Sequence, residues 1–476
     1  VTDPSIVSSL PVMHWFVSSP ESADTTSGTR GALFYGGELY DNIKFFIHGQ
    51  STAGFPKKSY NVDFNDSHRF RMTPGVARMP DVNLLTNWAD KTKVRNTLAY
   101  AALAAAGVGH HLAFPVRVQQ NGAFFSVADL VEDGDGHWLE RLGKDPDGAL
   151  YKMYDALDNV ANAEKKTRKY EGKDDLQAVI DALSQNASSR AKWVWDHVDI
   201  PGMVGFAAGL VLVSDGDCCH KNYYAYRDTN GTGEWVYLPW DVDLTFGHNW
   251  TFQYNYFDET YYYDNALWAG GNSRILKACF EQADFKAMVV RRLRTMMDEL
   301  FQSTGAPLDT RWMESTIAAI QAQIGDDADL DADAWGLWGT PLPMDEAIDE
   351  LLAEWFPARR GYLYDTLVTS THDIPAAQPA DATLTIASFD ASPAAPTQGY
   401  IQLHNASTTL AIDLTDARLT GDVSFTMRPG TVIAPNGDLW LVADVNGFRA
   451  RASSPKATEK RFVQGAWNGT LRALRR

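Results

Sequence analysis

The sequence predicts an α+β protein, with a strand-rich first third, a helical middle and an all-β module at the end. Three observations carry that prediction. From Leu39 to Phe70 polar and apolar residues alternate, as in NIKFFIHG and KKSYNVDF, and a period of two is that of a strand with one buried face. Between Asp174 and Gly325 the segments DDLQAVIDAL, IPGMVGFAAGLVLV and DFKAMVVRRLRTMMDELF place apolar residues at threes and fours, the period of a helix with an apolar side. After Tyr364 the chain turns rich in proline and alanine (THDIPAAQPAD), then breaks into short alternating stretches separated by Gly, Pro and Asn. The expected units are residues 1–368, strand-rich to about residue 135 and helical after it, a linker over 369–381, and a β-sandwich over 382–476.

Within the first unit, Asp90 is placed to cap a helix over Lys91 to Ala106. Its carboxylate can accept the free amides of the first turn, Val94, Leu98, Ala101, Ala102 and Ala105 recur at helical spacing, and Gly107 ends the run. Strands return at PVRVQQNGAFFSVADLVED, a hairpin turning at Asn121-Gly122. A second hairpin, NYYAYRD-TNGTGE-WVYLPWD, interrupts the later helices.

The 476 residues are 45% hydrophobic and 21% charged, ample for a core. The 60 acids against 42 bases leave a formal charge of -18, which repels phosphate backbones and argues against a nucleic-acid partner. The longest apolar runs, Leu98 to Val108 and Met203 to Val213, are well short of the ~20 residues that span a bilayer, so no transmembrane segment is expected. The chain opens without methionine or a charged-then-apolar leader, so the expectation is that it either begins after a removed signal peptide or has been trimmed. Three cysteines, two of them adjacent, suggest no disulfide framework. For Cys218, Cys219 and His220 a zinc site fails on spacing, and they read as packing residues.

Chemistry concentrates in SDGDCCHKNYYAYRD and PWDVDLTFG. Asp217 and Asn222 stand directly before one strand of the second hairpin, and Asp241 and Asp243 follow the other. A carboxylate, an amide oxygen, a hairpin and a further carboxylate form the layout of a phosphoryl-transfer site. Asp217 would accept a hydroxyl proton, while Asn222 and Asp241 hold the divalent cation that bridges the phosphates. A lone D-x4-N is more often a turn former, and the second pair of carboxylates tips the balance. Lys57 and Lys58 offer cations after the loop HGQSTAGFP, or else protect a strand edge; Arg95 is either a phosphate contact or a surface cation. Gly49 and Gly54 have P-loop spacing, but Phe55-Pro56 stand where Lys-Ser/Thr should follow. Asp329, Asp331 and Asp333 alternate as in a calcium loop but lack its glycine and terminal glutamate, so a solvated acidic turn is preferred.

Four blocks in order, GQSTAGFPKKSYNVDF, LLTNWADKTKVRNTLAY, SDGDCCHKNYYAYRD and YLPWDVDLTFG, resemble those of the spore-coat protein H (CotH) kinase family. The resemblance implies a secreted or surface-displayed, atypical two-lobed protein-kinase-like fold that binds ATP with Mg²⁺ or Mn²⁺ and transfers its γ-phosphate to Ser, Thr or Tyr of extracellular or coat proteins. It implies Asp217 as the catalytic carboxylate, Asn222 and Asp241 as metal ligands with Asp243 accessory, Lys57 or Lys58 as the ATP lysine, and Glu132 near the adenine. The helix Lys91 to Ala106 holds no glutamate to pair with that lysine, and Asp215 stands where ordinary kinases have histidine. The competing readings are AMP transfer or glutamylation on the same fold, or a catalytically silent surface adhesin. GYIQLHNASTTLAIDLTDARL, FTMRPGTVIAPNGDLWLVAD and GAWNGTL resemble a lamin-tail domain, an immunoglobulin-like sandwich, and imply an adhesion or scaffolding unit.

Overall fold

The alternating segments of the first third pair with one another and close into a barrel. The seven strands are β1 (Val12–Val17), β2 (Thr29–Tyr35), β3 (Glu38–His48), β4 (Ser59–Asp63), β5 (Asp81–Thr86), β6 (Ala113–Gln120) and β7 (Ala123–Glu132), in the order β1-β2-β3-β4-β5-β7-β6. Closure comes from β1 running parallel to β6, with Val12 opposite Arg117, and closure leaves no open sheet edge. Trp15, Phe45, Tyr60, Val62 and Leu130 fill the interior, Trp15 stacked on Phe45 with centroids 4.3 Å apart. The structure is a computed structural model and describes residues 5–248, 263–264 and 273–472.

The helix after Asp90 spans Arg95–Ala105, shorter than expected. Residues 91–94 form a turn closed by Asp90, whose carboxylate accepts the amides of Thr92 (3.0 Å) and Arg95 (2.9 Å). The aspartate therefore satisfies the first helical amide from across that turn. Gly107, at φ +68°, ends the helix, and a Cβ there would stand 2.7 Å from Pro429.

The middle of the chain is a mixed α+β assembly. Helix Ile200–Val213 is apolar all round and almost wholly buried; Asp199 caps it by accepting the Gly202 amide at 3.2 Å. It packs against helix Ala283–Met296 and a four-stranded sheet ordered β11-β10-β8-β9, with β8 Ala149–Met153, β9 Ala163–Lys165, β10 Tyr223–Arg227 and β11 Trp235–Pro239. Among the described residues, no helix is long and apolar enough to cross a membrane.

Two sequence expectations are corrected here. Asp329, Asp331 and Asp333 lie on a helix, Asp327–Trp335, and form neither a calcium loop nor an acidic turn. Helical spacing turns Asp327 and Asp331 inward and leaves Asp329 and Asp333 exposed, because residues four apart share a face. Asp327 then pairs with Arg117 at 2.6 Å, and Asp331 with Lys57 and Lys93. Cys218 and Cys219 are joined to each other as a disulfide, which the sequence did not suggest, and they do pack, Cys219 within the buried core and Cys218 against it; Cys279 is free and buried.

After residue 384 the strands Thr385–Asp390, Tyr400–His404, Asp438–Val442 and Val463–Gln464 form one sheet, and shorter pairs surround it. Their described partners are all within this region, yet its apolar side chains Ile401, Leu403, Val432 and Ile433 belong to the same buried cluster as Val204 and Met288. Ion pairs fasten the contact: Arg292 to Asp413 (3.2 Å), Arg449 to Glu234 (2.6 Å) and Arg428 to Asp199 (3.0 Å).

Asp413→Ala would leave the Arg292 guanidinium buried without its carboxylate, and stability measured by urea unfolding should fall by about 3 kcal/mol. An unchanged midpoint would show that this contact does not hold the C-terminal region to the helices. A second prediction concerns acid. His111 is stacked on Trp138 (4.1 Å), donates from Nδ1 to the Glu132 carbonyl (2.9 Å), and burial pulls its pKa down to about 3. The unfolded imidazole takes a proton near pH 6.5 and the folded one does not, so stability should fall between pH 6.5 and 3, by up to about 1.4 kcal/mol per pH unit. His111→Phe cannot take up that proton, and its melting temperature should decline less steeply over the same range.

Candidate active site

The site is assembled by the β10–β11 hairpin. Its register sets Tyr223 opposite Pro239, so the residues flanking the two strands meet at one end, where the Trp240 amide donates to the Asn222 carbonyl at 3.3 Å. Asn222 (φ +63°) and Asp241 (φ +60°) both adopt the left-handed conformation, which Asn and Asp tolerate better than other residues with a Cβ. Such backbone persists where surrounding contacts over-determine it. Here the Asp241 amide donates to the Tyr100 hydroxyl at 3.2 Å, tying the hairpin end to helix Arg95–Ala105.

Asp217 is held from two sides. Its amide donates to Asp215 Oδ1 at 3.0 Å, as does the Cys218 amide at 3.2 Å, and its carboxylate accepts from Asn222 Nδ2 at 2.8 Å. Asp215 is buried, and burial pushes its carboxyl up to about 8. The residue in the histidine position thus orients the loop that carries Asp217. Asp241 and Asp243 are also raised, first by burial and then by neighbouring carboxylates, Asp217 acting on both.

These residues line a cleft of about 460 Å³. Asp217, Asn222, Asp241 and Asp243 form one wall. Gly49 to Thr52 form another, and Asn87, Asp90, Asn96 and Asp129 the floor. Among the described residues five carboxylates face this space against Lys152 and Lys221, a surplus of negative charge that a divalent cation would relieve. Among those same residues no three His, Cys, Asp or Glu side chains form a metal cluster by themselves, so Asn222 and the ligand's own oxygens would have to complete a coordination shell.

The structure therefore brings together Asp217, Asn222, Asp241 and Asp243, and sets Lys57, Lys58, Arg95 and Glu132 outside the cleft lining. Lys57 shares the strand face of Ser59, which lines the cleft, but its ammonium is drawn back onto Asp331 (2.6 Å) and Asn87 (2.7 Å). The side covered by Tyr60 and Val62 is the filled barrel interior. Lys58 stays at the rim, donating to the carbonyls of Ala53 (3.0 Å) and Phe55 (3.1 Å). Arg95 is buried against Asp90 at 2.8 Å, and Glu132 against Arg141 at 2.6 Å.

Sequence reasoning missed Lys152 and Lys221, which do face the cleft, and also Asp129. Lys152, on β8, stands 4.4 Å from the Trp240 ring centroid, with its pKa lowered by burial. Asp129, on β7, is raised to about 6 by burial, opposed by hydrogen bonds from Asn96 and Asn87. A lone lysine in ALYKM or aspartate in SVADLVE carries no spacing signal that would single it out.

Fold and cleft together define an α+β protein with an acid-lined cleft between a β-barrel and a helical region. The chain belongs to the CotH kinase protein family, whose model matches residues 45–363, more than half its length. It is similar to Inner spore coat protein H of Bacillus subtilis (strain 168), with 29% identity over 224 residues; the match covers 44% of this chain and 60% of that protein. Among solved structures it is similar to a chain of the Shewanella oneidensis MR-1 toxin–antitoxin complex of HipA, HipB and operator DNA. That likeness has 12% identity, covers 64% of this chain and 66% of the other, and has a TM-score of 0.25, too low to establish a common arrangement.

Lys58 reaches back to two carbonyls of the loop that walls the cleft. Lys58→Met should leave the melting temperature nearly unchanged while speeding amide exchange across residues 49–55 several-fold, read by hydrogen-exchange mass spectrometry. Unchanged exchange there would mean that the loop is held by other contacts.

Proposed function

We propose that the chain is an ATP-dependent phosphotransferase that moves the γ-phosphoryl group to a hydroxyl side chain of a protein. The observation that carries this reading is the convergence of Asp217, Asn222, Asp241 and Asp243 on one cleft in a member of the CotH kinase protein family. On this reading the barrel and the helical region act as the two lobes of an atypical kinase-like enzyme.

Asp217 is the general base, placed to take the acceptor hydroxyl proton as that oxygen bonds to phosphorus and the bond to the leaving diphosphate breaks. Its link to Asn222 Nδ2 fixes the carboxylate's direction. Asn222 Oδ1, Asp241 and the accessory Asp243 would hold Mg²⁺ or Mn²⁺. The cation supplies charge neutralisation at the phosphates. Lys152, rather than Lys57 or Lys58, supplies protein cation charge at the nucleotide, and Trp240 beneath it fixes its direction.

The relative's name places it in a spore coat, and we extend to this chain a coat or cell-surface location and coat-type protein acceptors. The C-terminal region is proposed as a lamin-tail-like, immunoglobulin-like unit that joins the enzyme to that surface while bracing its helices.

The test uses γ- and α-labelled ATP with Mg²⁺ or Mn²⁺ and a co-secreted acceptor protein. Transfer of the γ label supports phosphorylation, and transfer of the α label would replace it with AMP transfer. Asp217→Ala should abolish transfer, at least about 10³-fold in kcat, with Mg-ATP affinity nearly retained, because a base acts on the hydroxyl in the transition state. Asp241→Ala should weaken Mg-ATP binding itself in calorimetric titration. Equal transfer by wild type and Asp217→Ala would favour a silent adhesin.

A further inference from the structure

Helix Asp327–Trp335 lies across the outside of the barrel, against β7. Asp331 is its buried centre. One carboxylate oxygen accepts from Lys57 and from Lys93, each at 2.6 Å, and the other accepts the Val127 amide at 2.9 Å. Two buried ammonium groups on one carboxylate make that acid indispensable to both, since an unpaired charge in the interior is strongly unfavourable.

The chain of contacts continues inward. Lys57 also donates to Asn87 Oδ1 at 2.7 Å. An ammonium can only donate, so Asn87 must present its oxygen to Lys57, and its Nδ2 is thereby turned to Asp129 Oδ1 at 3.2 Å. Asn96 Nδ2 holds the other oxygen of Asp129 at 3.1 Å. Asn87, Asn96 and Asp129 line the cleft; Asp331 and Lys57 stand behind it. The same helix is anchored further along, where Trp335 Nε1 donates to the Phe125 carbonyl at 2.6 Å and Trp88 Nε1 to the Trp335 carbonyl at 3.2 Å. Beyond it, Trp338 reaches the cleft against Phe55 and Trp88.

We propose that Asp331 is a positioning residue for nucleotide binding: from behind the barrel wall it fixes Lys57, and through Lys57 it fixes the Asn87 and Asp129 side chains that meet the ligand. The inference rests on the nucleotide reading above. Asp331 gives Lys57 a carboxylate partner from a helix more than two hundred residues beyond helix Arg95–Ala105, and holds the ammonium behind the cleft rather than in it. Asp129 is another carboxylate whose field acts on Lys57. With Asp331 neutralised, Lys57 turns towards Asp129, Asn87 loses the donor that sets its orientation, and the floor of the cleft rearranges.

The test is a double-mutant cycle on Mg-ATP affinity, with Asp331→Asn, Asn87→Ala and the pair, each checked for its melting temperature and for kcat at saturating nucleotide. Asp331→Asn should weaken binding by about tenfold or more while kcat changes less than about threefold, and Asn87→Ala should add little in the Asp331→Asn background, because both act through one bond. Additive losses, or wild-type affinity in Asp331→Asn, overturn the proposal and leave Asp331 a residue of the fold alone. If Asp331→Asn does not fold, Asp331→Glu, which keeps the charge and shifts it by one methylene, goes through the same cycle with the same two outcomes. A wild-type chain that binds no nucleotide would instead overturn the nucleotide reading, and this inference with it.

Discussion

Five carboxylates facing one cleft is the constraint to which the rest of the structure answers. Like charges at close quarters raise one another's proton affinity and push the chain apart, so each must be held by a donor of its own. Asp90 has the Arg95 guanidinium and three further donors from the turn it closes. Asp129 has two asparagine amides, and Asp217 has Asn222. Asp241 and Asp243 are raised in proton affinity, first by burial and then by the neighbouring carboxylates.

The donors come from distant parts of the chain, and this explains the architecture around the cleft. The closed barrel supplies a rigid wall on which Asn87 and Asp129 sit, and the helix Arg95–Ala105 supplies Asn96 and Tyr100. The hairpin β10–β11 carries Asn222 and Asp241 at its base, and the helix Ile200–Val213 underneath buries its whole circumference to hold that hairpin in place. The C-terminal strands then brace the same helices through Arg292–Asp413 and Arg428–Asp199.

Much of this was legible in the chain itself. A period of two, a period near 3.6, Asn-Gly at a turn and proline with alanine in a linker are local signals, set by φ/ψ preferences and by which face of an element is wet. They marked the strand-rich first third, the later helices and the terminal β region, but not the strands β8 and β9. The D-x4-N spacing with a hairpin between it and Asp241 determined which four side chains of that hairpin would meet, because an antiparallel pair necessarily returns its ends to one place.

Tertiary structure alone decided which cations and which further acids join them. Lys57 and Lys58 are neighbours in sequence on opposite faces. Whether either reaches the cleft depended on Asp331, 274 residues away from Lys57, which draws Lys57 back by a charge the local pattern cannot reveal. Asp331 itself read as part of an acidic turn until helical spacing and a buried barrel face gave it two lysines. Lys152 and Asp129 carried no signal because a single charged residue in a strand looks alike whether it faces water or a ligand. Elements follow from short-range sterics and hydrophobic period, while the partner of a buried charge is chosen by packing between segments remote in the chain, where desolvation makes the contact decisive.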